Sequence, residues 1–477
     1  MDAAKGDFCV RITVKEVVAA LLPMQEHWLQ LSNLDLLLPP LDVGVFFCYK
    51  KPTSTEEKLL STSFTYMVSV LKKAMAQALV PYYAWAGEVV QNPAGEPELL
   101  CNNRGVDFLE AFADVELRDL NLYNPDESVE GKLVPEKKHG VLSVQATQLK
   151  CGGLVVGCKF DHRVADAYSA NMFLVSWAEK ARSKPISRLP SFRRSLLSPR
   201  HPGCYHPSLD DMYVAVSALP PPRENNSSSN FSGDELISRI YYVEAEQLSR
   251  LQSLANNNGC RNKDKDRSMR TKLEAFTAFL WKLVAASEQA SNKKCRMGIV
   301  VDGRTRLSEG YGEKSEMMAT YFGNVLSIPF GEKRAGELMK RPVSWVADAI
   351  HEFLDSAVTK EHFLGLIDWV EAHRPEPNLA MIYAGSKSND DGPAIVVSSG
   401  QKFPVSKVDF GWGKPAFGSY HFPWGGESGY VMPMPSPNGN GDWVVYMHMF
   451  KGQLQLIESQ APHFFKPLTS DYYLEHF

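Results

Sequence analysis

Apolar positions along this chain fall into two rhythms, and their alternation predicts a mixed α and β protein. Residues 8–18 alternate partly, as a strand does, and Val43-Gly44-Val45-Phe46-Phe47-Cys48-Tyr49 is an unbroken run of the kind found inside a sheet. Over 53–79 the spacing becomes helical, with Leu59, Phe64, Met67, Val70, Leu71 and Met75 on one face and Lys58, Lys72 and Lys73 on the other. Short strands are predicted at 98–101 and 140–145. A second buried-type run, Leu154-Val155-Val156-Gly157-Cys158-Lys159-Phe160, then stops at a polar turn, and a helix is predicted over 167–182.

In the second half, a strand is predicted at 236–243. Thr271-Lys272-Leu273-Glu274 has the capping-box pattern ahead of an apolar helix over 275–286. A strand at 296–301, a helix at 343–358 and strands at 394–399, 429–434, 443–449 and 454–458 complete the expectation. Between the halves, 184–233 is rich in Pro, Ser and Asn and includes Pro220-Pro221-Pro222, a composition that supplies few backbone contacts and reads as a surface crossover. At 477 residues the chain exceeds one ordinary core, so the division expected is a first unit at 1–183, a crossover at 184–233 and a second unit at 234–477.

Composition narrows the class. Hydrophobic residues at 44% and charged residues at 22% are those of a soluble globular protein, and a net charge of −4 disfavours a nucleic-acid binder or a polybasic membrane protein. Eight cysteines without a Cys-x-x-Cys pair read as reduced thiols in a reducing, cytoplasmic compartment. The apolar patch at 17–22 ends at Pro23 and is too short for a secretory signal, and no apolar run reaches membrane-spanning length. Asn225, Asn226 and Asn230 fit glycosylation triplets, which without a signal peptide read as a plain Ser/Asn-rich loop.

His-x-x-x-Asp occurs three times. His206 to Asp210 lies in a Pro-rich loop, and His351 to Asp355 lies inside an ordinary helix. His162 to Asp166 differs from both, because it follows a buried-type strand and precedes the small and polar residues Ala167-Tyr168-Ser169-Ala170-Asn171. That arrangement can expose a base to a ligand. There is no Gly-x-Ser-x-Gly elbow, phosphate loop, dinucleotide fingerprint or His-Glu-x-x-His helix. A lone histidine base suits acyl transfer from a thioester, whose thiolate leaves easily once the acceptor proton is removed.

A second distinctive string is Asp409-Phe410-Gly411-Trp412-Gly413-Lys414-Pro415. Together with His162-Arg163-Val164-Ala165-Asp166, and with Val301-Asp302-Gly303-Arg304-Thr305-Arg306 and Tyr321-Phe322-Gly323-Asn324 between them, it resembles the landmarks of the plant BAHD acyltransferases in order and distance. The resemblance spans nearly the whole chain. It implies two chloramphenicol-acetyltransferase-like domains joined by a long crossover, with a channel between them reaching the histidine from both faces. It implies an acyl-CoA cosubstrate, a small alcohol acceptor, no metal or permanently bound cofactor, no membrane or nucleic-acid partner, and a monomer.

Residue by residue, the resemblance makes His162 the general base and Asp166 a structural aspartate paired with an arginine, here Arg304. Asp409, Gly411, Trp412 and Gly413 would shape the second signature loop, away from the reacting atoms. Arg270, Thr271 and Lys272, beside a basic run that includes Arg261, Lys263, Lys265 and Arg267, would meet the coenzyme phosphates at a helix N-terminus. Where shikimate-acting relatives carry Thr-Ser-Trp, this chain has Ser398-Ser399-Gly400, and from 375 to 400 there is no arginine to clamp a carboxylate. Their polar N-terminal strand is matched by Val45, Phe46 and Phe47. An apolar pocket with Phe47 and Ser398 on its wall suits a neutral aromatic alcohol.

The wider texture is similar to coniferyl alcohol acyltransferases, so acetyl-CoA with a hydroxycinnamyl alcohol is the leading pair. A hydroxycinnamoyl-CoA donor with another alcohol, phenolic or amine is the alternative, and a non-catalytic CoA-binding protein is the alternative from another class. Oxyanion donors remain open between backbone N–H groups near His162, Ser398 and the Trp412 indole.

Overall fold

The computed structural model describes residues 8–52, 63–218, 235–257, 268–287, 292–308, 312–384 and 390–474. Its frame is two large sheets. The first runs, edge to edge, Val10–Val18, Val106–Ala113, Leu142–Leu149, Leu154–Asp161, Asp42–Tyr49 and Phe417–His421. Five of these strands come from the first third of the chain, and the sixth comes from beyond residue 400. That last strand pairs antiparallel with Asp42–Tyr49, placing Phe417 opposite Cys48 and His421 opposite Gly44. A Cβ at Gly44 would meet the His421 carbonyl oxygen at 2.8 Å, so the close approach of this late strand requires glycine there.

The second sheet is ordered Leu326–Ser327, Lys294–Asp302, Asp391–Ser398, Gly429–Pro435, Trp443–Phe450, Leu236–Val243 and Lys466–Pro467, with Phe330–Arg334 also paired to Lys294–Asp302. Helices cover the sheets because each carries one apolar face. Phe64–Ala78 buries Met67, Val68, Leu71, Ala74, Met75 and Ala78 at the spacing of one helical stripe, and the Ser63 side chain caps it by accepting from Tyr66 N. It packs beside Ala167–Ala181. In the second unit Lys272–Ala285 packs against Val343–Ala357 and Ala245–Asn256.

Most elements stand where the hydrophobic pattern puts them, including the strand Leu236–Val243 and the helix Val343–Ala357. Residues 53–62 of the first expected helix lie outside the described residues, as do Asn225, Asn226, Asn230 and the basic residues at 261–267. One assignment is corrected: 454–458 is not a strand but part of the helix Lys451–Gln460. Gln453, Leu454 and Ile457 are its buried positions, a helical stripe that mimics alternation when only Leu454 and Leu456 are read.

The described part of the crossover, 184–218, is tied down by side chains rather than by a long ladder. Asp368 accepts from the Arg200 and Cys204 main-chain N–H groups at 2.8 and 2.9 Å and from Arg200 Nε at 2.7 Å. The short strand Tyr213–Ala215 pairs with Asn378–Ala380.

Candidate active site

The strand Leu154–Asp161 ends against the chain's N-terminal third and gives way to a tight turn. His162 N donates to the Leu41 carbonyl at 2.9 Å, and Val164 N closes the turn onto Asp161 O at 3.2 Å. Arg163 folds back on the Asp161 carboxylate with Nε at 2.9 Å and Nη2 at 2.6 Å, so it is spent within the turn. Asp166 then caps the helix Ala167–Ala181, accepting from Ser169 N at 2.9 Å. The result is a half-buried histidine at the end of a sheet, with a helix starting just beyond it.

Asp166 is turned away from the histidine and into a buried ion pair. Arg304 Nη1 and Nη2 reach its two oxygens at 2.7 and 3.1 Å, and Val325 N donates to it at 3.2 Å. The other Arg304 donors are also used, by Tyr321 O, Asp302 Oδ1, Ser169 Oγ and Gly323 O. Arg304 is 2% exposed and Asp166 1%. Burial alone would lower the guanidinium pKa, but Asp166 and Asp302 outweigh it and hold it above the ordinary arginine value. A buried pair so fully hydrogen-bonded fixes the geometry of three segments at once.

His162 lies on the wall of a cavity of about 240 Å³ between the two sheets. Its Nδ1 is buried and has no hydrogen-bond partner, which leaves Nε2 as the nitrogen the cavity can use. Phe422 stands edge-on to the ring at 6.1 Å. Apolar side chains make most of the wall: Leu38, Leu41 and Phe160 from the first unit, Phe422, Trp424 and Met432 from beyond residue 420. Polar groups converge from Tyr383, Ser398, Tyr420 and Tyr430, and burial pushes the Tyr430 phenol up to about 12 against the opposing effect of its Ser398 hydrogen bond. These phenols are therefore neutral hydrogen-bonding groups, not bases.

A larger cavity of about 780 Å³ adjoins the first and shares Tyr168, Asn171, Gln401 and Lys402 with it. Tyr168 stands at this junction, its ring 4.6 Å from the Arg304 guanidinium and 4.8 Å from the Lys402 ammonium. Its hydroxyl donates to Ala319 O at 2.8 Å. Lys402 also lies 3.7 Å from Asp302.

The second signature string is elsewhere. Asp409 Oδ1 accepts from Gly411 N at 2.8 Å and Gly413 N at 3.0 Å, and the two glycines have φ of 116° and 112°, a region that L side chains avoid. Asp409 Oδ2 is 3.5 Å from Arg182, the C-cap of the helix that Asp166 starts. Phe410 packs edge-on to Trp177 at 4.7 Å, and Trp412 lies against Tyr49 at 6.1 Å with its indole nitrogen buried and unpaired. None of these residues lines either cavity.

Thr271 caps Lys272–Ala285 in a complete capping box with Glu274. Arg270 is 5% exposed, donates from Nε to Asp348 at 3.1 Å and keeps a buried Nη1 without a partner. Arg270, Thr271 and Lys272 are absent from the walls of both cavities. Ser398 is on the wall of the cavity that His162 lines, but Phe47 is not: it is fully buried and stacked on Phe403 at 5.4 Å. Val43, four residues earlier on the same face of the strand, takes the wall position, about 13 Å away at strand rise. The expected strand reaches the wall, but through Val43 and not Phe47.

Asp35, Tyr168, Lys402, Phe422 and Trp424 have no role in the sequence-based expectation. Tyr168 enters it only as a residue beside the motif, and the others have no motif spacing to His162 that could reveal them. Cys9, Cys48, Cys101, Cys151, Cys158, Cys204 and Cys295 are not joined in disulfides, and Cys260 lies outside the described residues. No described helix is long and apolar enough to cross a membrane.

The model of a family described as the Transferase family matches residues 8–464. Shikimate O-hydroxycinnamoyltransferase of Nicotiana tabacum is 26% identical over 94% of this chain and 99% of that protein. Omega-hydroxypalmitate O-feruloyl transferase of Arabidopsis thaliana is 27% identical over 81% of this chain and 78% of that protein. Among solved structures, vinorine synthase matches with a TM-score of 0.66 at 19% identity, covering 97% of this chain and 100% of its own. TRI101 of F. graminearum, complexed with coenzyme A and T-2 mycotoxin, matches with a TM-score of 0.70 at 14% identity, covering 92% and 99%. The shared architecture is a two-domain, chloramphenicol-acetyltransferase-like fold of mixed α and β structure.

Proposed function

The chain belongs to that Transferase family, the BAHD acyltransferases, and on this premise we propose that His162 is the general base for acyl transfer from a coenzyme A thioester to a neutral aromatic alcohol. The protein is an acyltransferase that uses acyl-CoA as cosubstrate. The observation that carries the finer reading is the isolation of the base: His162 is on the cavity wall, and the carboxylate four residues on is bonded to Arg304 instead. Nε2 takes the proton of the acceptor hydroxyl as its oxygen attacks the thioester carbonyl. The tetrahedral intermediate then expels the thiolate, which takes the proton back from Nε2, leaving ester and free coenzyme A.

The wall chemistry supports a neutral acceptor. Among the described residues no arginine lines it, and the lysine that does, Lys402, sits at the mouth beside Asp302. Aromatic and aliphatic side chains with a few hydroxyls fit a hydroxycinnamyl alcohol, for which acetyl-CoA as donor gives a product such as coniferyl acetate. Ser398, on the wall, and backbone N–H groups near His162 are the candidate oxyanion donors. The Trp412 indole, off both cavities, is set aside for that role. For the coenzyme phosphates, the helix start at Lys272, where first-turn N–H groups favour anions, supports Arg270, Thr271 and Lys272. A hydroxycinnamoyl-CoA donor is the second reading, favoured by relatives named for feruloyl and hydroxycinnamoyl transfer.

Purified protein given acetyl-CoA with coniferyl alcohol, and separately coumaroyl-CoA with shikimate, tests this by coenzyme A release and product mass. Ester from the first pair alone is the expected result. Ester from the second pair alone would overturn the acceptor and donor readings, and turnover by folded His162→Ala at the wild-type rate would overturn the base.

A further inference from the structure

A base that works through one ring nitrogen must be held in place, and in His162 the other nitrogen holds nothing. Nδ1 is buried without a partner and Asp166 is committed to Arg304, so ring orientation depends on the main chain of the turn and on Phe422. The main chain is fixed at two points. His162 N donates to Leu41 O, and the His162 carbonyl accepts from Asn324 Nδ2 at 2.9 Å, with the Arg163 carbonyl at 3.1 Å from the same nitrogen.

Asn324 is fixed in turn by a carboxylate. Asp35 Oδ1 accepts from Asn324 N at 2.6 Å and Nδ2 at 2.9 Å, while Oδ2 accepts from Ser32 N at 2.8 Å and Ser32 Oγ at 2.7 Å. Asp35 and Asn324 are both fully buried. A buried carboxylate is costly unless its lone pairs are used, and here four donors use them. The carboxylate also decides which way the amide points. Reversed, Asn324 would set its own oxygen against Asp35 Oδ1 and two carbonyl oxygens, so only the observed orientation presents an N–H to the turn, shared between the His162 and Arg163 carbonyls.

We propose that Asp35 and Asn324 are positioning residues for the base, holding His162 through its carbonyl rather than through its ring. This rests on the reading of His162 as the base. Two segments almost three hundred residues apart in sequence are joined at the one turn where a displacement of about 1 Å costs on the order of a hundredfold in rate. Binding groups on the cavity walls are not part of the clamp, so its loss falls on kcat rather than on KM.

The experiment measures kcat, KM for acyl-CoA and alcohol, the pH dependence of kcat and the melting temperature for Asn324→Ala, Asp35→Asn and His162→Ala. Asn324→Ala is expected to lose about a hundredfold in kcat and Asp35→Asn, which keeps the volume and one accepting oxygen, about tenfold. Both should keep KM within about twofold and retain the ionisation limb in kcat that His162→Ala loses. Wild-type kcat in either folded variant overturns the clamp, and so does a kcat loss matched by an equal rise in KM. Should Asn324→Ala not fold, Asp35→Asn decides by the same criteria. Loss of turnover in His162→Ala with unimpaired clamp variants overturns the clamp alone, whereas wild-type turnover in His162→Ala overturns the base reading.

Discussion

The two signature loops lie at opposite ends of one helix, and they use their polar groups for opposite purposes. At the N-terminal end of Ala167–Ala181, the turn at His162 leaves a titratable ring on a cavity wall and directs its aspartate outward to another segment. At the C-terminal end, about 22 Å away for fifteen residues, Asp409 binds Gly411 N and Gly413 N of its own loop and lies 3.5 Å from Arg182, and no residue of the loop lines a cavity. The second string is the rarer in sequence and both contain an aspartate, yet only the first leaves a ring on a cavity wall. Rarity of a motif thus marks a demanding backbone as readily as it marks chemistry, and a titratable ring on a cavity wall tells the two apart.

His162→Ala breaks the comparison most sharply. It should lower kcat by about a thousandfold while leaving the melting temperature unchanged, and no substitution in the loop at Asp409 should reproduce that split. Asp166→Ala comes next: it leaves the Arg304 guanidinium buried without its carboxylate and should destabilise the protein by about 3–5 kcal/mol, read by chemical denaturation. Adding Arg304→Met should recover part of that loss, because the uncompensated charge goes with it.

Gly411→Ala and Gly413→Ala act at the other end, where the added Cβ meets open space and only the backbone is strained. About 1–3 kcal/mol of stability should be lost in each, with activity per folded molecule unchanged. A fall in kcat of the folded fraction would mean that the second loop does more than shape the fold. A further effect touches neither loop and so leaves the comparison between them unchanged. Burial holds the folded-state pKa of His362 and of His448 down at about 4. Between about pH 6.5 and pH 4 the unfolded chain binds protons that the native one refuses, so stability rises with pH through that window and is lost on acidification. Thermal unfolding of wild type and the loop variants across pH 4–7 should give parallel curves.

Strands such as Leu236–Val243 and the capped helix Lys272–Ala285 are legible in the sequence because their signals are local: a run of apolar residues, or a Thr and Glu three positions apart. The helix Lys451–Gln460 is misread because a stripe at 453, 454 and 457 looks like alternation over so short a stretch. Phe47 is misplaced for a different reason: its expected place rests on a resemblance to the relatives' N-terminal strand, which does not say how far along the strand this cavity extends. His162 stands out because strand, turn and helix come one after another within a dozen residues. Asp35 and Phe422 could not stand out, since the residues that give them meaning lie more than a hundred positions away.

Left to itself, the sequence determined the class of element at most positions, the turn that presents His162, and the family to which the chain belongs, because hydrophobic period, capping and motif spacing are all read within a few residues. Only the tertiary structure decided that Phe417–His421 crosses to the first sheet and that Asp35 reaches the His162 turn through Asn324. Those contacts join distant segments. They exist because burying a charge or an amide obliges it to find partners, and which partners are near is settled only when the two units close on each other.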